Sequence, residues 1–497
     1  MNSVGPDASL DTPPVASIAG AARILHRDHI LGTSLDMIVV GGDAVLAQEA
    51  LAGALAEINR LEPLLSGWHP HSELSRLNTA GSATVSPELF RVIEAAEAWR
   101  RDSNGAFDGR LGAVEALWRQ AATEQSPPTP AALTQAVARS AADIGLDRAT
   151  WRVDRPDGVV LALDGLAKGY VVDAALTAAR RAAPGLAGLM IDIGGDIAVW
   201  GQGPGGAWRI GANNPYRPED NGPPAAVIAI SSGGIATSGA GRRDLTLGGE
   251  RLGLRLSPAS GAPARSVTSA TVVADCAMNA DALATAVSVL HPHDALALVE
   301  RTPGAEALIF GEDGRRLRSS GWARLAQAAP PPVRAPARAQ DPVIKADAWP
   351  AGFVVAIDYT LPKPVAGRLF GAYVSIWVTD ANNQPIRQVL LTGNDTNYID
   401  QNFVWWRRYG RSAPKMVDTM SKPTRPAGHY TVVWDGKDQN GTRVGQGRYT
   451  IHVEAIREHG QHNYQAVPMD LSDTPAQATA PSGEEIQDIT LAYGKRP

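Results

Sequence analysis

SVTSATVVADCAMNADALATAVSVL, Ser266 to Leu290, changes its hydrophobic period midway. Val267, Ala270, Val272 and Val273 read as a buried β-strand, and Met278 to Leu290 carries apolar residues at helical spacing. A strand feeding a helix is expected. Asp281 and Thr285 then lie one turn apart on one helix face and offer two hard oxygens. Such a pair suits Mg²⁺, which takes one or two protein carboxylates and leaves its other positions to water and phosphate. The same pair also fits a solvated helix face, or a threonine bonded back to its own helix.

Outward from this stretch, further segments suit a phosphate-bearing ligand. Gly194 and Gly195 follow an apolar strand and permit close backbone approach, or simply a tight turn. Gly165 lies just before an expected helix whose first turn carries Lys168, so amides and one ammonium are poised for an anion. Lys168 reads equally as a surface residue.

Several segments, in order from Ile30 to about Leu290, resemble the ApbE-type flavin transferases, enzymes that move FMN from FAD onto a protein threonine. They are ILGTSLDM (Ile30 to Met37), LSGWHPHSELSRLN (Leu65 to Asn78), GAFDGRLG (Gly105 to Gly112), DGLAKGYVVD (Asp164 to Asp173), IDIGGDIAVWG (Ile191 to Gly201), ATSGAGRR (Ala236 to Arg243) and VVADCAMNADALATA (Val272 to Ala286). The resemblance implies an α+β flavin-transferase fold. It also implies a Mg²⁺ held by the Gly165 carbonyl and the Asp281 and Thr285 side chains, with Asp281 and Lys168 as catalytic groups. Contacts to FAD are implied at Leu31, Trp68, Ala106, Phe107, Asp108, Lys168 and Leu256, with Trp68 stacking on a flavin or adenine ring. The implied partners are FAD and an acceptor flavoprotein carrying a threonine. The chemistry would be attack of that hydroxyl on the FMN-side phosphorus with departure of AMP, a reaction in which positioning and charge stabilisation supply most of the rate.

Departures accompany the matches. Where the family carries His, Asp and Arg in one segment, this chain reads LRLSPASG, with Leu254, Ser257 and Ala259 in their places. Ala162 stands where an acidic residue is usual, with Asp164 two residues later. Ala240 follows T-S-G in place of an acidic or polar residue, and Asp192 replaces Asn. Either the site is retuned, with Asp164, Arg242 or Arg243 supplying interactions, or the domain binds flavin nucleotide and its acceptor chemistry has decayed. Nearby His69 and His71 read as surface-loop residues or as compensating groups.

With 497 residues, 44% hydrophobic and 20% charged, the chain suits a multidomain globular protein. A net charge of -5 with no basic run argues against nucleic acid as a partner. The one cysteine, Cys276, excludes an intrachain disulfide and reads as a small packed residue rather than a nucleophile. No stretch of about 20 apolar residues suggests a membrane span, and residues 1–22 read as a disordered lead without signal-peptide features. Localisation stays open; family members generally act in the bacterial envelope, on its periplasmic side.

The transferase domain is expected over residues 23–326, and a Pro/Ala-rich linker over 327–346. Residues 347–497 read as a small all-β accessory domain, an immunoglobulin-like sandwich, with alternating segments such as FVVAIDYTL (Phe353 to Leu361), AYVSIWVTD (Ala372 to Asp380) and GRYTIHVEA (Gly447 to Ala455). This part resembles an uncharacterised envelope-associated β domain. Asp435, Asp438 and Asn440 read as a hairpin turn rather than a calcium loop, and Trp405, Trp406, Tyr409, His459 and His462 as packing residues. An interaction protein using this β domain is a further functional alternative.

Overall fold

The computed structural model describes residues 16–18, 22–216, 224–239, 245–327, 348–363, 371–393, 402–408, 421–422, 425, 427–457 and 461–495. Most of the expected lead and linker, together with Arg242, Arg243, Tyr409 and His459, lies outside these. The chain divides into two compact units.

The first unit, within residues 29–329, is built on an antiparallel sheet. In it β1 (Thr33–Val40), β2 (Gly188–Ile193), β3 (Asp196–Gly201), β4 (Ser232–Gly239), β5 (Val267–Ala274), β6 (Glu306–Gly311) and β7 (Arg316–Arg318) pair in chain order. Leu35, Met37 and Val39 of β1 and Leu189, Ile191 and Ile193 of β2 are fully buried at alternate positions, as period-2 patterning demands.

Helices supply the rest of this core. α1 (Ala44–Leu65) begins where Asp43 accepts from the Leu46 amide at 2.9 Å. α2 (Glu73–Ala80) is capped by Ser72, and α3 (Pro87–Asp102) by Ser86 with proline in its first turn. α4 (Gly112–Glu124), α5 (Asp164–Ala182) and α6 (Ala277–Ser288) follow. The expected strand-to-helix switch appears as β5 and α6. α5 starts at Asp164, two residues earlier than expected, so Gly165 sits inside its first turn.

The second unit's described C-terminal part is all β. One sheet joins β11 (Gly428–Trp434), β8 (Phe353–Leu361), β15 (Gln487–Lys495) and β14 (Ala476–Thr479) in that order. The other joins β10 (Pro385–Thr392), β9 (Tyr373–Asp380), β12 (Gly447–Ile456) and β13 (Asn463–Leu471), with Ser421–Lys422 beside β10. Val355, Ile357 and Tyr359 of the first sheet share one core with Val374, Ile376, Val378 and Ile451 of the second. The expected alternation holds for β8 but not for β9, which is buried on both faces from Tyr373 to Thr379. The reason is α7 (Phe403–Arg408), whose Trp405 packs with Tyr373, Trp377, Leu391 and Ile456 in a separate cluster. Trp405 is thus core, as expected, and His462 binds the buried Glu454 at 2.6 Å. Asp438 accepts from the Asn440 and Thr442 amides, consistent with the hairpin reading.

Candidate functional site

The first turn of α5 touches α6. Thr285 donates its hydroxyl to the Gly165 carbonyl at 3.3 Å, and a methyl at Gly165 would lie 3.0 Å from both Thr285 Oγ1 and Cγ2. One turn back on α6, Asp281 is 7% exposed, and its Oδ2 accepts from the Gly169 amide at 3.3 Å. A carbonyl, a hydroxyl and a carboxylate therefore gather where the two helices meet. Octahedral Mg²⁺ with oxygens at about 2.1 Å places neighbouring ligands roughly 3 Å apart, so the Gly165–Thr285 separation fits a hard divalent cation. A single protein carboxylate is in keeping with that ion's habit of leaving positions to water and phosphate.

Two residues absent from the expected site create this contact. A Cβ at Gly169 would fall 2.4 Å from the Ala277 carbonyl oxygen, so only glycine lets α5 lie this close to α6. Asp173 accepts from the Ala277 and Met278 amides, both at 2.9 Å, and so caps α6 from a neighbouring helix. The helix's own N-cap, Cys276, makes no side-chain cap bond. Burial, and then the adjacent Asp173, push the Cys276 thiol up to about 12, which suits packing and not nucleophilic chemistry.

Lys168, the next residue but two after Gly165, is anchored by the buried Asp196 carboxylate of β3. Asp196 was not singled out by the sequence, because its pairing depends on how β3 faces α5. The β2–β3 turn places Gly194 and Gly195 at φ 65° and 98°, with Gly195 donating to Asp192 Oδ1 at 2.8 Å. Thr33 closes on Gly194, where a Cβ would be 2.7 Å from Thr33 Cγ2. Leu31, at φ 50° in the turn before Thr33, thus belongs to the same end of the sheet. Asp192 faces Asp36 across the β1–β2 register, and its carboxyl is raised to about 7, first by burial and then by Asp36.

Phe107 is buried and reaches Gly165, a Cβ there lying 3.3 Å from Phe107 Cε2. Ala106 is buried beside it. Asp108 accepts from the Arg110 amide at 2.9 Å and from Arg100 at 3.3 Å, while burial pushes its carboxyl up. Trp68 is 61% exposed and donates its indole N–H to Asp164 Oδ2 at 3.1 Å. Arg119 of α4 lies over the same indole at 4.1 Å.

Leu256 belongs to an apolar cluster beside α4. It is buried with Leu111, Val114, Trp118 and Ala136, with Leu254 packed alongside. Trp118 fastens this segment by donating to the Gly261 carbonyl at 2.7 Å. His69 and His71 are exposed loop residues.

A profile of the ApbE family matches residues 31–309, and a profile described as a predicted periplasmic protein (DUF2271) matches residues 355–488. The FAD:protein FMN transferase of Treponema pallidum is 30% identical over 331 residues, covering 62% of this chain and 90% of that protein. The FAD:protein FMN transferase of Klebsiella pneumoniae is 28% identical over 325 residues, covering 63% and 90%. Among solved structures, an ApbE protein from Thermotoga maritima aligns with a TM-score of 0.56 at 29% identity, covering 62% of this chain and 100% of that one. The apo flavinyl transferase ApbE of Pseudomonas stutzeri, at 23% identity and a TM-score of 0.54, shares the fold over 63% of this chain and 100% of its own. The α+β unit carrying Gly165, Asp281 and Thr285 has the fold of these proteins, and the chain belongs to the ApbE family.

Proposed function

We propose that this chain is an FAD:protein FMN transferase that moves FMN from FAD to a threonine hydroxyl of an acceptor flavoprotein. In that reaction the hydroxyl oxygen bonds to the FMN-side phosphorus, the phosphoanhydride bond breaks, AMP leaves, and the hydroxyl proton passes to solvent. The observation that carries the reading is the convergence of the Gly165 carbonyl, Thr285 Oγ1 and the Asp281 carboxylate at one helix contact, in a chain of this family.

Gly165, Asp281 and Thr285 would hold Mg²⁺. The ion, when bound, supplies charge neutralisation on the pyrophosphate. Asp281 is held in place by the Gly169 amide. Lys168 is oriented by Asp196 and brings a fixed ammonium to the same end of α5. Phe107, with Ala106 and Asp108 flanking it, walls the Gly165 turn. Leu31 contributes from the turn facing Gly194, Trp68 offers an exposed ring, and Leu256 acts from the apolar segment beside α4.

The test is incubation of the purified chain with FAD, Mg²⁺ and a candidate acceptor, followed by assay of AMP release and acceptor flavin fluorescence. Asp281→Ala is expected to lose transfer by two orders of magnitude or more. Full transfer by that variant sinks the reading.

One observation favours a second reading, an FAD-binding or FAD-hydrolysing protein with decayed acceptor chemistry. Leu254 packs against the apolar cluster that holds Leu256, where the family pattern carries a histidine. That reading predicts AMP and FMN release without acceptor labelling.

The match of residues 355–488 to a predicted periplasmic protein family supports an envelope location. For the accessory domain, two antiparallel sheets on one core support an immunoglobulin-like sandwich. We place the transferase domain at 23–326 and the accessory domain at 347–497; the compact α+β unit itself spans His29–Pro218 and Pro223–Ala329, and Ala326–Gln327 adds a short strand to it by pairing with Val227 and Ile228. A purely interaction role through the β domain would give neither AMP release nor acceptor fluorescence in the same assay.

A further inference from the structure

Among the described residues, Trp68 is a large, well-exposed aromatic beside the Gly165 turn, and its surroundings are built rather than incidental. Its indole N–H is spent on Asp164 Oδ2 at 3.1 Å. Asp164 is the chain neighbour of Gly165, so that bond ties the ring to the turn that presents the carbonyl. The Arg119 guanidinium covers one face of the indole at 4.1 Å, and Glu115 holds Arg119 at 3.4 Å on the same face of α4. Burial and then the nearby Asp164 push the Glu115 carboxyl up, placing both acids in one cluster with Arg119. A residue that stays 61% exposed with one face covered has its other face open.

We infer that Asp164 and Arg119 are positioning residues that hold the Trp68 indole as a one-sided stacking platform for the planar ring system of a flavin nucleotide. The inference rests on the transferase reading for the identity of the nucleotide, and not for the platform itself. Arg119 backs the ring and polarises it, and the Asp164 bond sets the ring's angle and its distance from the Gly165 carbonyl. A ring that is fixed before binding loses little freedom when the ligand stacks on it. Asp164 thereby has a task in this chain although the family's usual acidic position, two residues earlier, is Ala162.

The experiment is a titration of the full chain with FAD in Mg²⁺, followed by flavin fluorescence, with inorganic pyrophosphate binding measured in parallel. Trp68→Ala is expected to weaken FAD binding about ten-fold, the size of one base–aromatic stack. Asp164→Ala is expected to weaken FAD several-fold in the wild-type background and to do nothing further in a Trp68→Phe background, where no N–H is left to orient. Arg119→Ala is expected to weaken FAD several-fold, and Arg119→Lys, which keeps the charge but loses planar stacking, to weaken it less. Pyrophosphate affinity should stay constant throughout, which a general loss of structure would not allow. Equal effects of Asp164→Ala in both backgrounds, no effect in either, or absence of FAD binding by the wild type overturns the inference. Coupled FAD binding without FMN transfer supports the platform and sinks the transferase reading.

Discussion

Asp192 illustrates how much a single residue's surroundings decide. Its carboxyl faces Asp36 across two strands and is raised to about 7, with burial the larger cause. For a carboxyl raised on folding, the stability contribution is present below its ordinary value and is lost as pH climbs through the folded value. The charged form therefore burdens the fold above about pH 7. Asn at this position keeps an oxygen for the Gly195 amide and removes the charge. Asp192→Asn should gain in Tm over the wild type as pH rises from 4.5 to 8, measured by thermal melts across that range. A gap that does not change with pH would show that Asp192 is solvated and uncoupled from Asp36.

At the scale of elements, the α5–α6 contact creates the candidate site, and it is held by residues without chemistry of their own. A methyl at Gly169 has nowhere to go, being 2.4 Å from the Ala277 carbonyl oxygen and 2.7 Å from Met278 Cα. Gly169→Ala should cost about 1–3 kcal/mol, as overpacking does. It should also separate Gly165 from Thr285, so Mg²⁺-dependent activity falls even at temperatures where circular dichroism reports a folded chain. Unchanged activity in a folded Gly169→Ala protein would detach the site from this packing. Part of this was legible beforehand: the switch of period at Ser266–Leu290 marks β5 and α6. Asp173, Asp196 and Arg119 were not, because each acts on an element remote in sequence, and only packing and strand register bring them there. The burial of β9 on both faces was hidden for the same reason, since Trp405 arrives from a helix beyond the strand's own pattern.

At the scale of the molecule, the described β part encloses its own core of Val355, Ile357, Val374, Ile376 and Ile451, while the α+β unit buries an independent sheet. Units with separate cores fold as separate domains by default. The residues assigned to metal and nucleotide, from Leu31 to Thr285, all belong to the first unit. If the β domain serves to engage the acceptor, its removal has a specific kinetic signature. A truncated chain of residues 23–326 should keep the KM for FAD, and kcat with a short threonine peptide as acceptor, because neither quantity uses the second core. With the folded acceptor protein, its KM for that protein should rise about ten-fold or more while kcat holds, the mark of lost binding energy shared equally by ground and transition states. Steady-state kinetics with both acceptors, run on the full chain and the truncation, separate these effects. An unchanged KM for the folded acceptor would remove the docking role from the β domain, and a raised KM for FAD would mean that the nucleotide site is not confined to the first unit.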